Sequence, residues 1–394
     1  MRATIVPPEI LDANVESTSV GDRLIVTAWR SGYQVTDELE ISGFTTNWDN
    51  SRYVHGHTTL VIADPDGVLW PRNIASALAP GGSRLKIAYR YGATRVTVPL
   101  GWWRIRKTRP EIRWQYRRIG SRTAWLPGGG TVTVQADEEL CSLYDLDRLD
   151  IGERHSQTGS VLGEVERLAA PYMPVVVDPS VVDAPIGRIT YEDERRLVNI
   201  QFLLDRIGAT YRMDGQGNLE IVPATGTPTD WGVAPGESGT LISLATTMSD
   251  ADLVNGVTSW VELDDDERTL LTGRARLLDG PLAVNGPFGR VLNFRGANLA
   301  TTQAQVDLDA ATTLARLTAQ GDVILSLESL AHPGLQIHDR VRLVAPEFPD
   351  VREMVGRVQA MTLTARDGVI AKSMPLQVAL PHDDLFPLSE RLIR

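Results

Sequence analysis

Between Arg23 and Val134 the apolar positions come in short alternating runs, RLIVTAW, TTLVIA, RLKIAYRY, TRVTVPLGWWRI and GTVTV, each closed by Gly, Pro, Asp or Asn. A two-residue period sends alternate side chains to opposite faces, so these runs predict strands with one face turned to a core. Their short, regular spacing predicts a sandwich or barrel. Seven of the nine tryptophans, Trp29, Trp48, Trp70, Trp102, Trp103, Trp114 and Trp125, fall in this stretch, where large aromatics suit half-buried strand surfaces.

The period then changes. SVLGEVERLAAP puts Val161, Val165 and Leu168 on one helical face and stops at Pro171. TYEDERRLVNIQFLLDRIG predicts a second helix, capped by Thr190, with Leu197, Ile200, Leu204 and Ile207 on its buried face and Gly208 at its left-handed end. ATYRMDGQGNLEIVP follows as two strands around a turn at Asp214 to Gly217. The Pro/Gly/Thr-rich segment from Pro223 to Thr240 reads as a connection between lobes.

Strand patterns return in NGVTSWVEL, RVRLVAP and GRVQAMTLTARDGVIAKSMPLQVAL. One helix interrupts them, TTQAQVDLDAATTLARLTAQG, with capping-box spacing between Thr302 and Gln305 and with Gly321 beyond its last turn. The expected architecture is mixed α+β, mostly β. Residues 1–135 form a β-rich barrel-like domain, 136–235 an α+β middle domain, and 236–394 a second β-rich domain with one inserted helix. No period of 20 to 50 residues points to a solenoid or propeller.

Charge changes the picture in one respect. Thirty-nine basic residues against fifty acidic ones leave a net charge of −11, which argues against broad adhesion to nucleic acid or anionic lipid. With Cys141 the only cysteine, neither an intrachain disulfide nor a thiolate metal cage can form, in keeping with cytoplasmic folding. The first residues lack the apolar core of a secretory leader, and the apolar stretch from Leu168 is far shorter than the roughly 20 residues of a membrane span. Neither export by that route nor a span is expected.

Candidate chemistry is sparse. ADPDG has the look of a calcium loop, but with Gly67 at the sixth position Ile62 and Asn73 stand where the first and twelfth positions need ligands. Pro65, Asp66 and Gly67 instead predict a hairpin turn between TTLVI and VLW. His55 and His57, in HGH, have only Asp49 as a loose companion and read as exposed histidines at a strand edge. Asp264, Asp265 and Asp266, in VELDDDER, read as a solvated loop. There is no nucleophile elbow, zinc-protease helix or phosphate loop, and GESG at Gly236 lacks the elbow's spacing. No catalytic, cofactor-binding or metal residue is assigned, and the chain is not expected to be an enzyme.

The segment from Trp102 to Trp125 is the best case for nucleic acid. It sets Arg104, Arg106, Lys107, Arg109, Arg113, Arg117, Arg118 and Arg122 among Trp102, Trp103, Trp114, Tyr116 and Trp125. Ile112, Trp114 and Tyr116 alternate with Arg113, Gln115 and Arg117, which predicts a strand with one buried and one wet face, so protein contact takes precedence.

In order along the chain, TTLVIADPDGVLWP, VTVPLGWWRI, TVTVQADEELCSLYDLDRL, GATYRMDGQGNLEIVP, NGVTSWVEL and HPGLQIHDRVRLVAPE resemble the minor tail proteins of long-tailed phages that infect actinobacteria. More distantly they resemble the tail hub, or baseplate hub, family. The likeness runs from about residue 20 to 380, and His338-Asp339 departs from the family's more usual Gly-Asp. It implies a homotrimer closing the tail tube at the virion's tail tip, assembled in the host cytoplasm. Two barrel-like domains per subunit would make a six-fold-like ring, with the α+β part as a cup or plug. Implied partners are the distal tail protein, the tape measure protein and other minor tail or receptor-binding proteins, and DNA passes without specific binding. Trp102 to Trp125 is then a place for a ring contact. The alternatives are a nucleic-acid-binding protein using segment 102–125, or a tail-associated cell-wall hydrolase.

Overall fold

The computed structural model describes residues 15, 21–92, 94–120, 122–236, 239–247, 254–262, 269–280, 282–296, 302–319, 323–344 and 354–380. The first third folds as the alternation predicts, into β1 (Arg23–Arg30), β2 (Tyr33–Gln34), β3 (Ile41–Asp49), β4 (Gly56–Asp64), β5 (Ser83–Arg90), β6 (Thr97–Ile119) and β7 (Arg122–Glu138). In β4 the inward positions are Gly56, Thr58, Leu60, Ile62 and Asp64, and in β5 they are Ser83, Leu85, Ile87 and Tyr89. The strands run antiparallel in the order β3, β4, β7, β6, β5, β1.

Trp103 is fully buried and meets Trp48 edge-on, with ring centres 5.7 Å apart. The Trp48 indole donates to Glu138 Oε1 at 2.7 Å, and the Gly56 N–H donates to the other carboxylate oxygen at 2.9 Å. A Cβ at position 56 would sit 2.4 Å from the Glu138 side chain. The glycine of HGH is therefore required by packing: it makes room for a buried carboxylate.

The α+β segment builds its own core. Helix α1 (Val161–Ala169) is capped by Ser160, whose Oγ accepts from the Gly163 N–H at 3.2 Å. Helix α2 (Arg196–Leu204) leads through a 3₁₀ turn to Gly208, at φ 64°, and strands β8 (Val175–Val177), β9 (Ala209–Met213) and β10 (Leu219–Pro223) make a three-stranded sheet with β10 in the middle. Val165, Leu168, Leu197, Ile200, Tyr211 and Ile221 share this core. The second helix starts six residues beyond the expected cap. Thr190 is used in an isolated bridge to His155, and Asp193 accepts from the Arg195 N–H just before the first turn.

The stretch read as a connection between lobes contains a strand, β11 (Thr227–Val233). A register shift between Pro228, near the strand's start, and Gly232 lets a Pro/Gly-rich sequence pair in parallel with a later strand. Next come β12 (Leu241–Thr247), β13 (Gly256–Glu262), β14 (Leu270–Arg276), β15 (Leu292–Gly296) and helix α3 (Gln303–Ala319). The expected capping box is present: Gln305 N–H donates to Thr302 Oγ1 and Thr302 N–H to Gln305 Oε1. The remaining strands are β16 (Val323–Leu330), β17 (Asp339–Leu343), β18 (Met354–Arg366), β19 (Val369–Ile370) and β20 (Ser373–Leu380).

The chain divides into two compact units, Met1–Leu244 with Ser326–Val378, and Ala245–Leu325 with Ala379–Arg394. In the second, β13 lies between antiparallel β14 and parallel β15, and Val257, Ala310 and Leu314 pack between sheet and helix α3. In the first, no closed barrel is found among the described residues: a 14-stranded sheet joins strands from both ends of the sequence. The 13-residue β18 is the reason. Its first part, Met354–Arg357, pairs with β17, and its later part, Ala360–Arg366, pairs with β3, so one strand belongs to both β-rich segments.

The α+β segment is tied to this sheet by buried charge. Arg212, on β9, is 1% exposed, and donates to Glu220 at 2.6 Å, to Asp339 Oδ1 at 2.8 Å and to the Ile337 carbonyl at 3.0 Å. Asp339 is fully buried, and its other oxygen accepts from the Gln336 N–H at 2.9 Å. His338 is at φ 65°, the left-handed region that glycine occupies at least cost.

Removing one partner of such a pair leaves a buried charge uncompensated. Arg212→Ala is expected to destabilise this unit by about 3–5 kcal/mol, read as a fall in the denaturant midpoint. An unchanged midpoint in that variant contradicts the assignment.

Candidate interaction surface

β6 and β7 outrun the sheet that holds them. β5 pairs with β6 only along Thr97–Arg104, and β4 pairs with β7 only along Gly130–Asp137. Beyond that, Trp114–Ile119 and Arg122–Pro127 are matched only to each other among the described residues. At about 3.3 Å per residue, the stretch from Ile112 to Ile119 makes an arm roughly 23 Å long. Gly120, at φ 62°, serves the turn.

The root of the arm is a glycine crossing. The turn after β4 is closed by the Gly67 N–H donating to the Asp64 carbonyl, with Gly67 at φ 67°, while the buried Asp64 carboxylate accepts from the Val68 and Leu69 N–H groups. This turn presses Pro65 onto the arm: a Cβ on Gly129, at φ 89°, would lie 2.7 Å from the Pro65 carbonyl oxygen. On the next residue, a Cβ at Gly130 would lie 2.0 Å from the Glu111 carbonyl oxygen. ADPDG thus forms the expected turn, but not the expected hairpin. VLW is not a strand, and β4 pairs with β3 and β7.

The arm carries exposed aromatics. Tyr116 sits directly opposite Trp125, with ring centres 5.3 Å apart, and Trp114 lies two residues before Tyr116 on the same face. Trp114, Tyr116 and Trp125 are 53%, 63% and 64% exposed. This overturns the expectation of one buried and one wet face: Arg113 and Gln115 are exposed as well, because no second layer covers the arm among the described residues. The tryptophans therefore split by position. Trp48 and Trp103 are core, Trp29 and Trp102 pair edge-on at 5.3 Å under Lys86, and Trp114 and Trp125 face solvent.

The arginines split in the same way. At the root, Arg104 lies 3.6 Å from Glu139, and Arg106 lies 2.6 Å from Asp145 and 3.4 Å from Asp137. On the arm, Arg113, Arg118 and Arg122 are exposed, with no ion pair among the described residues. Among the described residues of the segment, Arg113, Arg118 and Arg122 thus stand near the exposed aromatic side chains without a carboxylate partner.

The two histidines of HGH also part company. His57 is half-buried, with Nδ1 2.6 Å from Asp137 Oδ1. His55 is 4% exposed, against the expectation of an exposed histidine: its ring stacks on Tyr211 at 5.0 Å and meets His338 edge-on at 6.0 Å. Burial lowers the His55 pKa to about 4, against the pull of Asp49, and burial likewise holds His338 well below the usual histidine range. The single cysteine, Cys141, is buried, and burial, followed by Glu139, pushes its thiol up to about 12. Asp264, Asp265 and Asp266 lie outside the described residues. Among the described residues no three His, Cys, Asp or Glu side chains gather as a metal site, and no helix is long and apolar enough to cross a membrane.

No protein-family model matches the chain, and no curated protein does. Solved structures do. The 43 kDa tail protein of prophage MuSo2 from Shewanella oneidensis is 12% identical, with a TM-score of 0.60 over 92% of this chain and 99% of that one. The tail protein from Neisseria meningitidis MC58 is 12% identical, with a TM-score of 0.61 over 91% of this chain and 96% of that one. At that identity the likeness is one of fold: this chain has a fold found in phage tail proteins, and nothing ties it to the actinobacteriophage type.

Two outcomes follow from this geometry. Asp64→Ala removes a carboxylate that holds two N–H groups and is expected to cost about 1.5–3 kcal/mol, while calcium leaves the melting temperature of the unaltered protein unchanged; a calcium-dependent rise that Asp64→Ala abolishes contradicts this. For His55, the unfolded chain takes up a proton below pH 6.5 that the folded chain refuses until about pH 4. Its contribution is therefore full above pH 6.5 and lost as pH falls toward 4, and it is on the order of 3 kcal/mol. Urea denaturation across this window should show a shallower acid loss in His55→Gln than in the unaltered chain.

Proposed function

We propose that this protein is a structural component of a phage-type tail and, within it, the hub that closes the tail tube at its tip. The observation that carries the reading is a fold shared with two tail proteins over more than nine-tenths of this chain and of theirs. The protein acts by assembly instead of turnover.

In this reading three copies form a ring, with the two barrel-like halves of each subunit approximating six-fold symmetry. Two backbone bonds support such halves: Leu24 N–H donates to the Gly368 carbonyl, and Leu241 N–H to the Ala234 carbonyl, bringing sheet ends near each other. The α+β segment is the cup or plug. The distal tail protein, the tape measure protein and the receptor-binding or other minor tail proteins are its neighbours, and the virion's tail tip is its location. A net charge of −11 suits a conduit that DNA passes without sticking.

An antibody raised against the chain should decorate the far end of tails in electron micrographs of purified particles. Absence of the chain from those particles, by mass spectrometry, refutes the reading. Decoration along the tail length refutes the hub while keeping the tail component.

A further inference from the structure

The arm formed by β6 and β7 is built to be covered. Among the described residues the arm is a two-stranded ribbon without a covering layer, and an isolated ribbon of that kind is marginally stable in water. This one nonetheless carries Trp114, Tyr116 and Trp125 side by side, each more than half exposed. Tryptophan, tyrosine and arginine are the residue types that dominate binding energy when an interface buries them. Scattered apolar side chains on a surface need no explanation, whereas a contiguous aromatic group flanked by Arg113, Arg118 and Arg122 does.

Charge identifies the occupant. Residues 102–125 hold eight arginines or lysines and one glutamate, a surplus of seven positive charges, so with −11 for the whole chain everything outside the segment sums to −18. Arg104 and Arg106 are already matched at the root by Glu139, Asp137 and Asp145, so the surplus is concentrated toward the tip. Two such tips repel each other. A tip and the body of another copy attract, and the aromatic group then supplies the dry contact that charge alone does not. A nucleic acid would meet the same arginines, but the chain as a whole carries −11 and does not favour a polyanion.

We infer that the tip of this arm docks on the acidic body of a second copy of the chain, in a head-to-tail contact. The inference rests on the assembly reading above and adds the surface that makes the assembly. Head-to-tail contacts use two different patches, so they leave one patch of each kind open until a ring closes. The arm is the projecting patch, and the receiving patch belongs to the acidic remainder of the chain. The glycine crossing at Pro65, Gly129 and Glu111 fixes the direction in which the arm leaves the sheet.

The test uses the full chain with a photoreactive phenylalanine analogue in place of Trp125, in an equal mixture of unlabelled and heavy-isotope copies. Irradiation should give peptide pairs of mixed label joining residue 125 to acid-rich peptides. Sedimentation equilibrium of Trp114→Ala/Tyr116→Ala and of Arg113→Glu/Arg118→Glu/Arg122→Glu should show self-association weakened at least ~10-fold, with far-ultraviolet circular dichroism unchanged. Cross-links that stay within one copy, or association unaffected by both variants, overturn the inference while leaving the tail-component reading intact. A chain that remains monomeric at millimolar concentration overturns it as well. Salt-sensitive retention of duplex or single-stranded DNA, lost in the charge-reversed variant, overturns it in favour of nucleic acid. The tail-component reading itself stands or falls separately, by the presence of the chain in purified particles.

Discussion

A guanidinium held inside the protein is the constraint on which the first unit depends. Arg212 leaves water to lie between Glu220, on its neighbouring strand, and Asp339, at the start of β17. Such a group is tolerable only where it is paired and hydrogen-bonded, and the Ile337 carbonyl adds a third acceptor to the two carboxylates. The requirement propagates outward. Asp339 must face inward, so His338 accepts a left-handed backbone, Gln336 turns to bond the Met213 carbonyl, and the His338 ring is delivered against His55. Apolar surface would tolerate many offsets between a hairpin and a sheet. The two charge-assisted bonds from Arg212 to Asp339 and the Ile337 carbonyl tolerate one.

That fixed seating also reaches the loop between β3 and β4. Tyr211, the neighbour of Arg212, donates its hydroxyl to the Tyr53 carbonyl and stacks on His55. From His55 the chain enters β4 directly, and β4 ends at the Asp64 turn that braces the arm. One continuous strand therefore links the buried charge to the root of the exposed arm.

Much of this was legible in the sequence where local chemistry decides the outcome. The period of two in TTLVIA and RLKIAYRY, the shared face of Val161, Val165 and Leu168, Gly208 at a left-handed helix end and the turn at Asp214 all follow from rules that need no distant partner. The pairing of Thr302 with Gln305 belongs with them. The failures share a different origin. HGH looked exposed because nothing near it in sequence announces Tyr211 and His338, and the Pro/Gly-rich stretch hid β11 because its partner, β17, lies more than 100 residues later. RWQYRR has the alternation of a covered strand, and only the absence of an overlying layer exposes it. A usable signal was present there: two runs of strand residues of 23 and 17 positions exceed what their sheet neighbours can match, so a ribbon must project. Two separate barrel-like domains were expected from spacing, but β18 is long enough to serve two partners in turn and joins the strands in one sheet.

That sharing by β18 bears on how the protein is made. The edge of β3 is completed by residues from Ala360 to Arg366, about 300 residues after β3 itself leaves the ribosome. At bacterial elongation rates of roughly 5–20 residues per second the gap is about 15–60 s, during which an assembled N-terminal sheet presents a bare strand edge to the cell. Loop closure over that distance is slow, and non-native pairing competes with it. The nascent chain thus spends most of its synthesis as an unfinished sheet, in need of a chaperone or of dilution, and synthesis at low abundance would favour the correct ending over aggregation.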